Sequence, residues 1–341
     1  VNQQPQLLKW TSRRVLVTGA DGFVGYWLAN ALATHGAQTC ALIGPNSPSD
    51  EKFRRRETGI KVVQGNITDL NFISRLIADS AIEIVYHLAA INTNTGTDRS
   101  PYEIFETNIR GVYTILEACR TAPKPAYAVV ASSKEVEDCF LPGTNRKHHP
   151  YMTSKAAAEL VTHAYGDTFG LPVALVRSDN IYGGGDFNWF RLVPGTIRLI
   201  LRGETPVIRS NGLLQRGYVY VEDAVAAYLA IGERLDNPAV KGKLFRVATG
   251  LRTSVLDMVK QIARAVGRSD LNPQIMNEKT EERIDAFYTP EFEQTVLGWK
   301  SRYSLEEGLS RTCEWYRNFF REDASLVGAH WNKESVKTTK I

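Results

Sequence analysis

Immediately after the apolar run 127–130 the chain places Ser132, Ser133, Lys134 and Glu135: two hydroxyls, an ammonium and a carboxylate in four consecutive positions. Groups of these types hold alcohols and move protons when a fold brings them to one place. Further along, Tyr151 and Lys155 stand four residues apart, so on a helix they share one face. An ammonium beside a phenol lowers the phenol pKa, which suits tyrosine to act as a base near neutral pH. Ser133 would supply a third hydrogen bond at the reacting alcohol. Each element also has a plainer reading: Tyr-x-x-x-Lys is commonly a surface pair, and Lys134-Glu135 could be an exposed ion pair at a strand end.

Such groups need a scaffold, and the chain supplies signs of one. Residues 18–25, Thr-Gly-Ala-Asp-Gly-Phe-Val-Gly, fall between an apolar β-branched run (15–18) and an apolar helical pattern (23–34). Gly19, Gly22 and Gly25 permit a tight turn, close approach of backbone to a pyrophosphate, and close packing of helix on strand. A dinucleotide is the ligand that pattern suits, with Asp21, Phe23 and Val24 in the same turn. Strands are expected at 39–43, 61–63, 84–87, 127–131 and 173–177, and helices at 71–78 and 103–120. This alternation is that of a doubly wound parallel sheet, α/β in class. Asn66 and Ile67 follow the third strand and Leu88, Ala89 and Ala90 the fourth, where adenine and ribose would lie. The second strand ends in Ile43-Gly44-Pro45, without the acid that would select NAD, and Arg54, Arg55 and Arg56 follow closely; these residues leave NADP open.

After about residue 178 the pattern changes to Gly-rich loops and isolated short elements. We expect a dinucleotide-binding domain over 1–178 plus 217–248, a smaller interleaved α/β substrate lobe over 179–216 plus 249–320, and a mobile polar tail over 321–341. The 341 residues, 43% hydrophobic with 26 Gly and 14 Pro, can bury a large core. Lys plus Arg (41) nearly balance Asp plus Glu (37), and the basic residues are scattered apart from 52–56, which disfavours a nucleic-acid partner and suits a small anionic one. The four cysteines lack CxxC spacing, and none of the six histidines completes a zinc pattern, so no metal is expected and the thiols read as reduced and cytoplasmic. No apolar run approaches a membrane-spanning length.

Taken together, these residues resemble the extended short-chain dehydrogenases that act on nucleotide sugars, the NAD-dependent epimerase/dehydratase family. The marks are the 18–25 glycine turn, His87-Leu88-Ala89-Ala90, Thr107-Asn108-Ile109-Arg110-Gly111, Ser132-Ser133, the 151–155 Tyr/Lys pair, 177–183 (RSDNIYG), Gln215-Arg216 with 220–223 (YVED), and Leu297-Gly298-Trp299. Within that family, 180–194 and 206–209 look most like CDP-glucose 4,6-dehydratases, a subgroup that also lacks the second-strand acid and is generally NAD-dependent. The resemblance implies that Tyr151 deprotonates the sugar 4-hydroxyl, that Lys155 holds the cofactor ribose, and that Glu135 removes the C5 proton before water leaves from C6. Asn180 and Arg216 would bind the sugar-nucleotide pyrophosphate, Arg191 would line the nucleoside pocket, and Asn108 would support the catalytic strands. Lys134 stands where the family commonly has an acid, and Glu137 where it commonly has tyrosine. Helices near 102–120 and 151–169 resemble those of the family's homodimer. Nucleotide-sugar 4-epimerase and decarboxylase share the first step, and a non-catalytic dinucleotide sensor is the reading outside enzymology.

Overall fold

In the computed structural model, residues 10–47, 59–92, 99–140, 148–278 and 288–322 are described. The strands are β1 (Arg14–Thr18), β2 (Gln38–Ile43), β3 (Lys61–Gln64), β4 (Ile84–His87), β5 (Tyr127–Ala131), β6 (Val173–Ser178), β7 (Asn180–Tyr182), β8 (Val207–Ile208), β9 (Gln215–Tyr220), β10 (Leu244–Val247), β11 (Arg252–Ser254) and β12 (Gln274–Ile275). Seven of them form one parallel sheet in the order β10-β6-β5-β4-β1-β2-β3. Reading outward from β1, the chain winds one way through β2 and β3 and the other way through β4, β5 and β6. The direction reverses between β1 and β4, and in such sheets ligands bind in the crevice beyond the strand ends at that point.

Helices cover both faces: α1 (Phe23–Thr34), α2 (Leu70–Asp79), α3 (Pro101–Phe105), α4 (Gly111–Thr121), α5 (Glu137–Phe140), α6 (Pro150–Phe169), α7 (Leu192–Leu201), α8 (Val221–Gly232), α9 (Val255–Val266), α10 (Glu291–Leu297) and α11 (Leu305–Glu322). Because side chains alternate across a strand, β1 sends Val15 and Val17 into a core with Leu28, Leu32 and Ile231, and Leu16 into a second core with Ile73, Ile115 and Leu116. A sheet buried on both faces explains why its strands read as continuous apolar runs. None of the helices among the described residues is long and apolar enough to cross a membrane.

Two expectations are refined. The helix expected over 103–120 is interrupted: a wider π turn, Glu106–Arg110, separates α3 from α4. It holds Asn108, whose buried amide is committed to partners off the helix, as described below. Residues 217–220, grouped by pattern with the dinucleotide-binding half, pair as β9 with β7 and β11 in a separate three-stranded sheet. Residues 244–247 do join the large sheet, as β10 at its edge. Arg54, Arg55, Arg56 and the tail beyond 322 lie outside the described residues.

Candidate active site

The glycine turn closes the end of β1 against the loop that follows β4. Gly19 has φ +65°, and a Cβ there would lie 2.7 Å from the backbone of Ala89. A Cβ on Gly25 would come within 2.2 Å of the Gly19 carbonyl oxygen, so the first turn of α1 can sit against the strand end only because position 25 has no side chain. Thr18 joins the two loops: its hydroxyl bonds to His87 Nδ1 (2.8 Å) and accepts the Ala89 N–H (3.3 Å). Burial pushes the His87 imidazole down to about 3, so it is neutral. Gly22 caps α1 with no side-chain acceptor, which leaves the first amides of the helix for an anion. Asp21 is half-buried in this turn, Phe23 and Val24 open the helix, and Leu88 and Ala89 are half-buried beside it with Ala90 exposed. Asn66 turns the loop after β3 by accepting from Thr68, while buried Ile67 packs on Gly111. A glycine-lined cradle at the switch point of the sheet fits a dinucleotide pyrophosphate.

The proton-handling groups collect at the end of β5, two strands from the cradle. Ser133 caps the short 3-10 turn Lys134–Val136, its Oγ accepting the Glu135 N–H at 3.3 Å. Tyr151 stands in the first turn of α6 and hydrogen-bonds Ser133 through its side chain. One turn further on, Lys155 is buried and donates from Nζ to the Ala131 carbonyl at 2.8 Å. Asn108 ties these pieces together: Nδ2 donates to Ile91 O and to Ser154 Oγ (2.9 Å each), and Oδ1 accepts the Ile91 N–H (2.7 Å). Ser154 in turn donates to Tyr151 O at 2.7 Å. Ser133, Glu135, Tyr151 and Lys155 are thus brought to one place, and half-buried Lys134 lies in the same turn.

The electrostatics differ from expectation at one point. Tyr151 is pushed up to about 12, first by burial and then by the Glu135 carboxylate, against the Arg191 guanidinium and the Ser133 hydrogen bond. Lys155, expected to draw the phenol down, is committed to Ala131 and is itself lowered to about 8 by burial, with Glu159 opposing. The charge that favours a phenolate here therefore comes from Arg191.

Arg191 lies just before α7, exposed, with Nη1 on Asp186 Oδ2 at 3.0 Å. Asn180 donates to Gly217 O at 2.9 Å, next in sequence to half-buried Arg216 on β9. Several groups in the site were not singled out from sequence. Buried Glu159 accepts from Ser132 and from Arg177 Nε (2.7 Å), which pins the end of β5 to α6. Glu137, at the position expected to depart from the family, is taken by Arg177, Arg246 (2.9 Å) and Tyr288. His149 sits beside both Glu135 and Tyr151. Its sequence signal was Pro150: proline at the first helical position marks the residue before it as the cap.

A family model described as the NAD dependent epimerase/dehydratase family matches residues 15–248. The chain belongs to this family. Its cofactor is accordingly NAD, and the glycine cradle is the part of the fold that fits it. Among relatives, the chain is similar to a trifunctional UDP-glucose 4,6-dehydratase/UDP-4-keto-6-deoxy-D-glucose 3,5-epimerase/UDP-4-keto-L-rhamnose-reductase of Arabidopsis thaliana, 26% identical over 332 residues. That match covers 91% of this chain and 48% of the relative, so the chain spans about half the length of that protein. It is also similar to the UDP-glucose 4-epimerase of Mycolicibacterium smegmatis, 29% identical, covering 89% of this chain and 99% of the relative. Among solved structures, dTDP-glucose 4,6-dehydratase of Bacillus anthracis in complex with NAD shares the fold with a TM-score of 0.77 at 21% identity, covering 92% of this chain and 100% of that one. Epimerase/dehydratase family members thus include enzymes of both chemistries similar to this chain.

Proposed function

We propose that the protein is an NAD-dependent 4,6-dehydratase of a nucleoside-diphosphate sugar. The observation that carries this reading is the placement of Glu135: a carboxylate close enough to raise the Tyr151 phenol, in the turn that Ser133 caps. Inverting C4 needs only an alcohol-oxidising set. A second base beside it serves a step at the neighbouring carbon.

Gly19, Gly22, Gly25 and the amides that open α1 would hold NAD, which when bound would supply reversible hydride acceptance. The side chains do the rest. Tyr151 takes the 4-hydroxyl proton, helped by Arg191, while Ser133 bonds the same oxygen. Lys155 would hold the cofactor ribose, and Asn108 keeps the Tyr151 turn in register with the loop after β4. Once C4 is a ketone its neighbour C5–H is acidic, and Glu135 removes that proton as the C6 hydroxyl departs. The half-buried Lys134 ammonium is the proton donor we assign to the leaving hydroxyl. Arg216 and Asn180 would bind the diphosphate, where a guanidinium can bond two oxygens at once.

The similarity to the Mycolicibacterium smegmatis enzyme supports 4-epimerase as the second reading. Incubation of the protein and NAD with a panel of CDP-, dTDP- and UDP-sugars, followed by mass analysis, separates the chemistries. Loss of water is expected; no mass change with altered chromatography would favour epimerase, and loss of carbon dioxide would mean decarboxylase.

We also propose a homodimer. Tyr102 (72% exposed), Leu160 (59%) and Phe169 (57%) are large apolar side chains left open on α3 and α6. Light scattering should give the mass of two chains; a monomer at micromolar concentration would refute the assembly.

A further inference from the structure

We infer that Glu137 is a positioning residue: it fixes the far end of the turn that carries Ser133 and Glu135, and takes its own place from Tyr288 in the segment leading to α10. The inference rests on the roles proposed above for Ser133 and Glu135. Glu137 directly follows the 3-10 turn Lys134–Val136 and opens α5. Its side chain is 11% exposed, and both carboxylate oxygens are used. Oε1 accepts from Arg246 Nε at 2.9 Å and from Arg177 Nη1 at 3.2 Å, while Oε2 accepts the Tyr288 hydroxyl.

The sheet register calls for this carboxylate. Arg177 on β6 and Arg246 on β10 are partners in the parallel ladder, so their side chains leave the same face of adjacent strands and reach one oxygen. Two guanidiniums so close repel unless an anion lies between them, and one as buried as Arg177 must be paired. Glu137 bridges the two. Arg177 turns its other edge to Glu159, Nε to Oε1 at 2.7 Å and Nη2 to Oε2 at 2.5 Å, and Glu159 accepts from Ser132. Two arginines and two glutamates thus bracket the catalytic turn. Ser132, before it, is tied through Glu159 to α6, the helix of Tyr151 and Lys155; Glu137, after it, is tied through Arg177 to the same Glu159.

Charge balance alone would not need Tyr288. Its ring lies 4.5 Å from the Arg246 guanidinium carbon and its hydroxyl is on Glu137. The segment it belongs to is anchored separately: Glu293 of α10, 3% exposed, accepts the Arg246 N–H at 2.6 Å. Hydrogen bonds run through the turn itself, from Val136 N–H to Ser133 O at 3.2 Å and from Glu137 N–H to Lys134 O. A displacement of Glu137 is therefore passed to Glu135, two residues away, and to Ser133 at the cap.

Tyr288→Phe removes the hydroxyl and keeps the ring beside Arg246. With the sugar nucleotide that turns over in the panel, this variant should keep the wild-type melting temperature, NAD binding and KM. Its kcat and its single-turnover rise in absorbance at 340 nm should fall by roughly tenfold, because a misplaced reacting group costs transition-state rather than ground-state binding. Glu137→Gln keeps the shape but removes the charge between the arginines, so it should lose roughly a hundredfold in kcat together with some melting temperature. Adding Tyr288→Phe to it should cost little more, since the hydroxyl acts through the carboxylate. Hydrogen exchange of the unliganded protein gives a readout independent of turnover: amides of 133–140 should lose protection in both variants while those of β1 and α1 do not change. Wild-type kcat in Tyr288→Phe, full additivity of the two substitutions, or unchanged protection of 133–140 would reduce the cluster to a stabilising ion network and overturn the inference. A wild-type protein that reduces NAD with the sugar but exchanges no C5 hydrogen would end the dehydratase reading by itself; the rate of C4 oxidation, which uses Ser133 of the same turn, would still decide for or against Glu137.

Discussion

Glu135→Gln should leave a protein that binds NAD and the sugar nucleotide, oxidises C4, and stops there. Glutamine has nearly the same shape, so the turn capped by Ser133 and its bond to the Glu135 amide survive. What is lost is the base. General-base catalysis contributes on the order of a hundredfold to ten-thousandfold, about 3–5 kcal/mol of barrier, and water elimination should slow by that factor. The 4-keto sugar and reduced cofactor should accumulate on the enzyme, visible at 340 nm and by mass. There is a second, opposite effect. The Glu135 charge raises the Tyr151 phenol, so removing it makes the phenolate easier to form, and C4 oxidation in the variant should extend to lower pH than in the wild type. A change of only about twofold in elimination would make Glu135 a structural carboxylate and move the reading to 4-epimerase.

The scaffold of this site was legible because its signals are local. The strand 14–18, the glycine turn and the helix Phe23–Thr34 lie where an apolar β-branched run, three glycines and a 3.6-residue period put them. β4 and β5 were readable to the residue because both faces are buried, which makes the whole strand apolar. The π turn at Glu106–Arg110 was not legible, since its apolar spacing is that of an ordinary helix and its cause, the bonds of Asn108 to Ile91 and Ser154, lies in other segments. Nor could β9 be assigned to its sheet: alternation says that a strand is buried, not which neighbours it pairs with. Within the site, residue types announced Tyr151, Lys155 and Ser133. The direction of the Lys155 ammonium, the field of Arg191 on Tyr151, and the approach of His149 to Glu135 are tertiary facts that spacing does not carry.

Tyr151→Phe acts one step earlier and should silence the whole sequence of reactions. The phenol ring is half-buried and the substitution removes only its hydroxyl, so packing at the start of α6 is kept. Ser133 loses one partner but still accepts from the Glu135 amide, and Lys155 stays on Ala131. The variant should therefore fold, bind NAD and bind the sugar nucleotide, since neither the glycine cradle nor the Asn180–Arg216 patch involves the hydroxyl. It should show no rise at 340 nm on the time scale of wild-type turnover, a loss of roughly a hundredfold to ten-thousandfold in C4 oxidation. C5 exchange with deuterium should vanish as well, because that hydrogen is acidic only beside a C4 ketone. This is what separates the two variants: Glu135→Gln reduces the cofactor and stalls, whereas Tyr151→Phe never reduces it. Wild-type reduction in Tyr151→Phe would show that another group takes the 4-hydroxyl proton.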